Sequence, residues 1–230
     1  MRRLVGAVLM VCMFYGDQAY AQWKREMLRD TAEIADAQFR SLTEEYGKNK
    51  KLPPGYEKIA LFALSFFPEL KNNKIQFILR STGAPLSTRP RWGGVFRSAG
   101  KRTYLVFINS GGDDRFGSVF RNASIPAQIG IIGHELSHIV NFARKSGFGL
   151  MGMGVSHISK SYMDRFEFYT DSLAIAHGLG SYQKEWAAIF DQMFAKTGME
   201  NPFKSSSTPT GERYMSAATI ELYMKKMGYR

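Results

Sequence analysis

Two histidines four residues apart flank a glutamate in the segment 134–138, His-Glu-Leu-Ser-His. Residues with this spacing leave the same face of a helix, so both imidazoles could bind one Zn²⁺ ion at about 2.0 to 2.1 Å. Glu135 would lie about 100° further round the helix, where it could take a proton from a water molecule and return it to a leaving amine. The pattern predicts a metal-dependent hydrolase with His134 and His138 as ligands and Glu135 as general base.

A catalytic zinc ion usually has three protein ligands and one open position, so a third ligand is needed. The continuation that supplies a third histidine is absent, because Asn141 and Arg144 stand where that pattern has glycine and histidine. Further along, Glu167 and Asp171 lie four residues apart in a second predicted helix. We expect Glu167 to complete a site for one Zn²⁺ per chain, and Asp171 to accept the Nδ1 proton of a ligand histidine. The alternative is two acidic residues on a solvated helix face.

The predicted helix that carries the motif begins near Pro126 and extends to about Lys145. Isoleucine, valine and phenylalanine side chains surround the motif and would pack this helix into a core. In that setting the two histidines could instead be buried, hydrogen-bonded structural residues. The remaining helices are predicted at residues 22–46, 56–67, 162–178, 182–196 and 211–227.

Strands are predicted at residues 75–80 and at 95–97 and 102–109, the last two forming a hairpin. A turn-rich stretch separates the first strand from the second, and a glycine- and methionine-rich connection at 147–155 is expected to be a flexible lid or a surface loop. The order of elements predicts an α+β fold, with a small mixed or antiparallel sheet before a mainly helical half.

The chain of 230 residues is 44% hydrophobic and has one cysteine, which excludes a disordered protein and a disulfide scaffold. Residues 1–21 have the pattern of a secretory signal peptide: two arginines, an apolar run and Ala19-Tyr20-Ala21. An uncleaved anchor is the alternative, although the apolar run is shorter than the roughly 20 residues that span a bilayer. We expect an exported protein, periplasmic or secreted, with one domain at 22–230.

The net charge of +11 indicates an acidic partner or a solvated basic surface. The basic residues are dispersed, and no nucleic-acid-binding motif accompanies them, so we expect no nucleic acid partner. Peripheral contact with an anionic membrane or envelope surface is a further expectation from the charge. The sequence does not indicate an oligomeric state.

Two segments, one with the histidine motif and one with Glu167 and Asp171, resemble those of the gluzincin metallopeptidases. The resemblance is specifically to the family of heat-shock membrane proteases, CAAX prenyl endopeptidases and soluble periplasmic relatives. The similar residues are 132–139 (IGHELSHI) and 166–174 (FEFYTDSLA). The resemblance implies a zincin-like active-site half with zinc, Glu135 as base, Glu167 as third ligand and Asp171 behind the ligands.

Residues 207–213 (STPTGER) are similar to a His-Pro-Pro segment of that family, which is followed by an arginine. Ser207 stands at the histidine position here, and Thr208 at that of the first proline. The resemblance implies that Arg213 stabilises the oxyanion of the transition state; an exposed position in the first turn of a helix is the alternative. It also implies an edge strand that holds extended substrate, expected at residues 103–109, with a fully paired core strand as the alternative.

The expected function is hydrolysis of peptide bonds in extended or unfolded polypeptides. Two alternatives remain at this stage. One is a catalytically silent metal-containing protein that binds an envelope partner, and the other is a hydrolase dedicated to a single extracytoplasmic substrate.

Overall fold

The computed structural model describes residues 36–111, 117–156, 158–197 and 203–229. The predicted signal peptide at 1–21, the first part of the predicted helix at 22–46 and His157 lie outside these residues. Among the helices in the described ranges, none combines the length and apolar character needed to cross a membrane.

The described residues form an α+β fold, as predicted, with a small mixed sheet and a mainly helical second half. The strands are β1 (Lys50–Lys51), β2 (Lys74–Arg80), β3 (Leu86–Pro90) and β4 (Thr103–Asn109). The helices are α1 (Asp36–Tyr46), α2 (Glu57–Leu64), α3 (Gly117–Asn122), α4 (Ile125–Ala143), α5 (Gly147–Ser156), α6 (Lys160–Ala174), α7 (Gly180–Thr197) and α8 (Ala217–Lys226). Short 3₁₀ turns occur at Pro68–Leu70, Trp92–Gly94 and Ala99–Lys101.

The sheet has the strand order β1-β2-β4-β3, in which only β3 is antiparallel to its neighbour. The predicted hairpin was wrong, because residues 95–97 form no strand and β4 pairs instead with β2 and with β3. The expectation that residues 103–109 form an edge strand was also wrong, since β4 is paired on both sides. The edge strand is β3, within the stretch predicted to be turns.

Strand β4 is buried on both faces, as its run of β-branched and aromatic residues favours. One face carries Tyr104, Val106 and Ile108 into the main core. On the other face the guanidinium groups of Arg80 and Arg89 lie 4.0 and 5.2 Å from the ring centroid of Phe107. These cation–π contacts cover part of the Phe107 ring, which is buried.

Helix α4 lies at the centre of the fold and packs against β3, α2, α6 and α7. Its start is capped by Ser124, whose hydroxyl accepts a hydrogen bond from the Ala127 backbone N–H at 3.3 Å. Gly130 lets α7 approach closely, since a Cβ there would lie 2.2 Å from the Tyr182 carbonyl oxygen. The helix that carries the motif is therefore held by backbone contact on one side and by the sheet on another.

A kink joins α6 to α7 and brings both helices against α4. The kink contains a π-helical turn, Ile175–Leu179, in which Gly178 has φ of 87°. Only glycine adopts this left-handed conformation without strain. The predicted helix at 162–178 ends at this break.

Helix α5 occupies the segment that was predicted to be a loop. Four glycines lower its helix propensity, each by roughly 1 kcal/mol relative to alanine, which explains the wrong prediction. The helix forms because Leu150 and Met153 are buried in the core and because the Ser146 hydroxyl accepts from the Gly149 N–H at 3.1 Å. The predicted helix at 211–227 is shorter in the structure, beginning at Ala217, and Arg213 precedes it.

Substitution of two helical glycines by alanine should have opposite effects on stability. Gly130→Ala should lower the free energy of unfolding by at least about 2 kcal/mol, because the new methyl group collides with the backbone of α7. Gly152→Ala in α5 meets open space and should raise it by roughly 0.5 to 1 kcal/mol through helix propensity. Urea unfolding of the two variants measures both effects, and equal effects would contradict the close packing of α4 on α7.

Candidate metal centre

His134, His138 and Glu167 come together in the structure, and all three are buried. One oxygen of Glu167, Oε2, lies 3.1 Å from His134 Nε2 and 3.2 Å from His138 Nε2. Helix α4 supplies the two histidines from one face, and the adjacent helix α6 supplies the glutamate. Three atoms that can each bind a metal ion therefore converge on one point.

The hydrogen bond of His134 determines which of its nitrogens faces that point. Its Nδ1 lies 2.7 Å from Asp171 Oδ1. An ionised carboxylate oxygen can only accept a hydrogen bond, so the nitrogen must be the donor. His134 therefore carries a proton on Nδ1 and donates it in a hydrogen bond to Asp171. In the neutral imidazole this leaves a lone pair on Nε2, directed at the Glu167 oxygen.

His138 has the same arrangement with a different partner. Its Nδ1 lies 3.3 Å from the Thr170 hydroxyl oxygen, and that hydroxyl donates its own proton to the Phe166 carbonyl at 2.8 Å. Nδ1 of His138 therefore donates the hydrogen bond to the Thr170 hydroxyl oxygen. The lone pair on its Nε2 also faces Glu167. Two imidazole lone pairs and one carboxylate oxygen meet without a proton between them when both rings are neutral.

Such a convergence of lone pairs is repulsive unless a cation lies between them. With bonds of about 2.1 Å and tetrahedral angles, the ligand atoms of a metal ion are about 3.4 Å apart. The two nitrogen-to-oxygen distances, 3.1 and 3.2 Å, are close to that value. The residues present therefore fit a metal ion in both the chemistry and the spacing of their donor atoms.

Asp171 has more contacts than the sequence indicated. Its Oδ1 also accepts from the Gln183 side-chain amide at 2.6 Å, and its Oδ2 accepts from the Met215 backbone N–H at 2.8 Å. Three donors from three parts of the chain stabilise this buried carboxylate. Asp171 therefore positions the His134 ring and at the same time anchors α7 and the 203–216 segment.

A cavity of about 540 Å³ opens over the three ligand atoms. Glu135 lines it and is buried, and its Oε2 atom has no hydrogen-bond partner among the described residues. A buried carboxylate oxygen without a donor is costly, and it belongs to a side chain that lines the cavity over the ligand atoms. Glu135 is thus placed to accept a proton beside the metal centre.

Tyr214 also lines the cavity, and the sequence analysis missed it. Its ring centroid lies 5.9 Å from that of His134, and it packs edge-to-face on Phe203 at 5.0 Å. Tyr214 is 37% exposed, and partial desolvation, followed by the negative charges of the carboxylates in the site, raises the pKa of Tyr214 above its usual value. Its hydroxyl therefore stays protonated at neutral pH and remains a hydrogen-bond donor.

Arg213, the predicted oxyanion-stabilising residue, does not line this cavity. Its Nε donates a hydrogen bond to Asp164, a buried carboxylate one turn before Glu167 on α6. Burial would raise the pKa of Asp164, but hydrogen bonds from Ser205, Lys160 and Arg213 lower it to about 2. Arg213 thus ties the 203–216 segment to α6, and its catalytic role stays a prediction.

Comparisons with models of protein families, with curated proteins and with solved structures found no match for this chain. The functional argument therefore depends on the geometry of the site. The resemblance to gluzincin metallopeptidases, carried by the two segments around the ligands, stays a prediction.

Removing either kind of ligand should abolish metal binding. We expect one metal ion per chain in the wild-type protein, at least 100-fold weaker binding after His138→Ala or Glu167→Ala, and 10- to 100-fold weaker binding after Asp171→Asn. Elemental analysis and competition with a chromogenic chelator measure this. Glu185→Gln, on an exposed part of α7, is the control and should keep the ion. Undiminished binding in the Glu167 variant would show that another residue is the third ligand.

The metal-free protein should lose stability as the pH rises. Burial lowers the pKa of His134, but Asp171 and Glu167 outweigh it and hold that pKa well above 6.5. A raised pKa contributes stability that is fully present below the unfolded value of about 6.5 and is lost as the pH rises through the folded pKa. Thermal unfolding between pH 6 and 9, with chelator and with metal, tests this. The metal-loaded protein should not lose stability in this way, since its His134 carries no Nε2 proton. Identical pH profiles of stability with chelator and with metal would contradict the assignment of His134 as a metal ligand.

Proposed function

We propose that this protein is a zinc-dependent endopeptidase that hydrolyses peptide bonds in extended polypeptides. The observation that carries the proposal is the convergence of two imidazole nitrogens and one carboxylate oxygen in a cavity that Glu135 also lines. Two nitrogens and one oxygen at near-tetrahedral spacing favour zinc over magnesium or calcium, which prefer six or more oxygen ligands. The resemblance of the two ligand-bearing segments to gluzincins supports the same assignment.

A bound zinc ion would supply Lewis acidity, which polarises a carbonyl group and lowers the pKa of water. The Glu135 carboxylate would accept a proton from the attacking water and then deliver it to the leaving amine nitrogen. His134 would be kept in the required tautomer by Asp171, and His138 by Thr170. The hydroxyl of Tyr214 would donate a hydrogen bond to the carbonyl oxygen as negative charge develops there.

The edge strand β3 is the proposed binding site for the substrate backbone. Residues 83–88, which include most of β3, line the cavity, and β3 pairs only with β4 among the described strands. Its outer edge therefore has backbone N–H and C=O groups that can pair with an added strand. An extended peptide fits this edge, whereas a folded domain does not present its backbone in this way.

The cavity walls favour an apolar side chain next to the cleaved bond. Among the residues that the structure describes, no lysine or arginine lines the cavity. On the α4 and α6 side the walls are Phe142, Met163 and Phe166, and on the α7 side they are Trp186 and Phe190. Burial of a large apolar substrate side chain here is worth about 1.5 to 3 kcal/mol. We therefore propose a preference for substrates with aliphatic or aromatic residues at the cleavage site.

The proposed setting is outside the cytoplasm. This part of the proposal depends on the signal-peptide pattern of residues 1–21 alone. An exported peptidase acting on extended chains suits the removal or processing of unfolded envelope proteins.

Glu135→Gln should separate catalysis from metal binding. We expect this variant to keep one zinc ion per chain and to lose about 10³-fold in kcat, because the amide cannot accept the proton. Cleavage of an unfolded casein-like protein, followed by mass spectrometry of the products, provides the measurement. The exposed control Glu185→Gln should keep full activity.

Two other outcomes would replace the proposal. A wild-type protein that holds zinc but cleaves neither unfolded casein nor a digest of whole-cell proteins would be a metal-containing binding protein. Cleavage of one protein in the digest, with casein intact, would indicate a dedicated hydrolase. Absence of zinc in the wild-type protein would exclude the peptidase altogether.

Tyr214→Phe tests the proposed hydrogen bond to the developing oxyanion. We expect kcat to fall about 10²-fold with KM and zinc content unchanged, because the lost contact forms in the transition state. Tyr169→Phe, at an exposed tyrosine of α6, is the matched control and should have no effect. If instead Arg213→Gln lowers kcat while Tyr214→Phe does not, the role implied by the family resemblance is correct and the role given to Tyr214 is wrong.

A further inference from the structure

Helix α5 exposes an apolar face that no described residue covers. Phe148, Met151 and Val155 lie three and four residues apart on one side of the helix, opposite the buried Leu150 and Met153. Ile158 follows directly after the helix. The exposed fractions of these four side chains range from 50% to 86%. Isolated exposed apolar residues are ordinary, but a row of large ones on one helix face marks an interaction surface.

Two further aromatic side chains lie beside this helix. Trp92 and Phe96, in and after the 3₁₀ turn that follows β3, are 76% and 77% exposed. Gly147, the first residue of α5, packs on the backbone of this turn, since a Cβ there would lie 2.9 Å from the Val95 oxygen and 3.3 Å from Phe96 Cα. The 92–96 turn and the start of α5 are therefore adjacent, and their exposed apolar side chains belong to neighbouring parts of the protein surface.

A buried arginine holds this surface together. Arg102, 2% exposed, donates hydrogen bonds to the backbone carbonyls of Arg97 at 2.8 Å, Lys145 at 2.6 Å and Phe142 at 3.4 Å. Phe142 lies in the last turn of α4 and Lys145 two residues beyond its end, a region where the helix dipole is negative. The surface is therefore built on a rigid junction between the sheet and the helix that carries the metal ligands.

The charged residues within the two segments that form this apolar surface are all basic. The exposed side chains of Arg91, Arg97, Lys101 and Lys145 lie on the two segments that Arg102 joins, and none of them forms an ion pair with a described residue. The sequence contains no aspartate or glutamate at 70–112 or at 136–163. An acidic partner is therefore required by charge complementarity.

We infer that this basic apolar surface, formed by residues 91–101 and 144–156 together with Ile158, binds the surface of an anionic lipid bilayer. The aromatic and aliphatic side chains enter the headgroup and upper acyl region, and the four cations contact lipid phosphates. A bilayer fits better than a protein partner, because the apolar side chains project from the surface and the described residues form no groove between them. This inference does not depend on the proposed peptidase activity.

Binding of the full-length protein to vesicles tests the inference. We expect co-sedimentation with vesicles of phosphatidylcholine containing 30% phosphatidylglycerol, weaker binding at high salt, and little binding to pure phosphatidylcholine. Lys101→Gln with Lys145→Gln should weaken binding about 25-fold, at about fivefold for each cation near the surface. Phe96→Ser with Phe148→Ser should weaken it at least tenfold while keeping its dependence on salt. Any contribution of residues 1–21 is common to all variants and cancels in the comparison.

Matched variants elsewhere on the surface control for charge and hydrophobicity. Lys71→Gln with Lys225→Gln removes the same charge from other elements, and Leu222→Ser removes an exposed apolar side chain from α8. These should bind like the wild type. The fluorescence of Trp92 should shift to shorter wavelength on anionic vesicles, and Trp92→Phe should remove that shift. Unchanged zinc content and thermal stability would show that the variants are folded.

The inference is wrong if the control variants weaken binding as much as those in the surface, or if the protein ignores anionic vesicles at low salt. It is also wrong if Phe96→Ser with Phe148→Ser leaves vesicle binding intact but abolishes a concentration-dependent dimer in sedimentation. In that case the surface is an interface between two copies of the chain.

Discussion

The site depends on one electrostatic constraint: two imidazole lone pairs and a carboxylate oxygen are directed at the same point inside the protein. Asp171 and Thr170 keep a proton on Nδ1 of His134 and His138. A second proton, on Nε2, would therefore make either ring a cation. Without a metal ion, the protein must hold a proton on a buried imidazole. With a metal ion, the same atoms become a ligand set, and the burial that made the arrangement costly now excludes competing water.

The surrounding fold brings this set together from distant parts of the chain. Helix α4 presents both histidines, and its glycines allow α7 to lie against it closely enough for Gln183 to reach Asp171. The kink at Gly178 then lets α6 and α7 pack on different sides of α4. A rigid scaffold of this kind keeps ligand atoms within a few tenths of an ångström of their required positions, which a loop would not do.

Prediction from the sequence succeeded where a single helix carries the signal. The helical periodicity around residues 125–143, with Pro126 at its start, was strong enough to predict the helix that carries His134, Glu135 and His138. It failed where packing overrides local preference. Prolines 85 and 90 concealed β3, since proline is rare in strands but tolerated on an edge. Tyr214 has no local signal at all, because its place beside His134 results from ion pairs and hydrogen bonds that join the 203–216 segment to α6.

The two oxygens of Asp171 face different parts of the molecule. One holds a ligand ring at the floor of the cavity, and the other holds the Met215 backbone at its rim, next to Tyr214. Any shift of this carboxylate that follows the loss or gain of the metal ion is therefore transmitted to the cavity entrance. Binding of the metal ion and the shape of the cavity opening are therefore linked through the Asp171 side chain. The metal-free protein would present a differently shaped opening to a substrate.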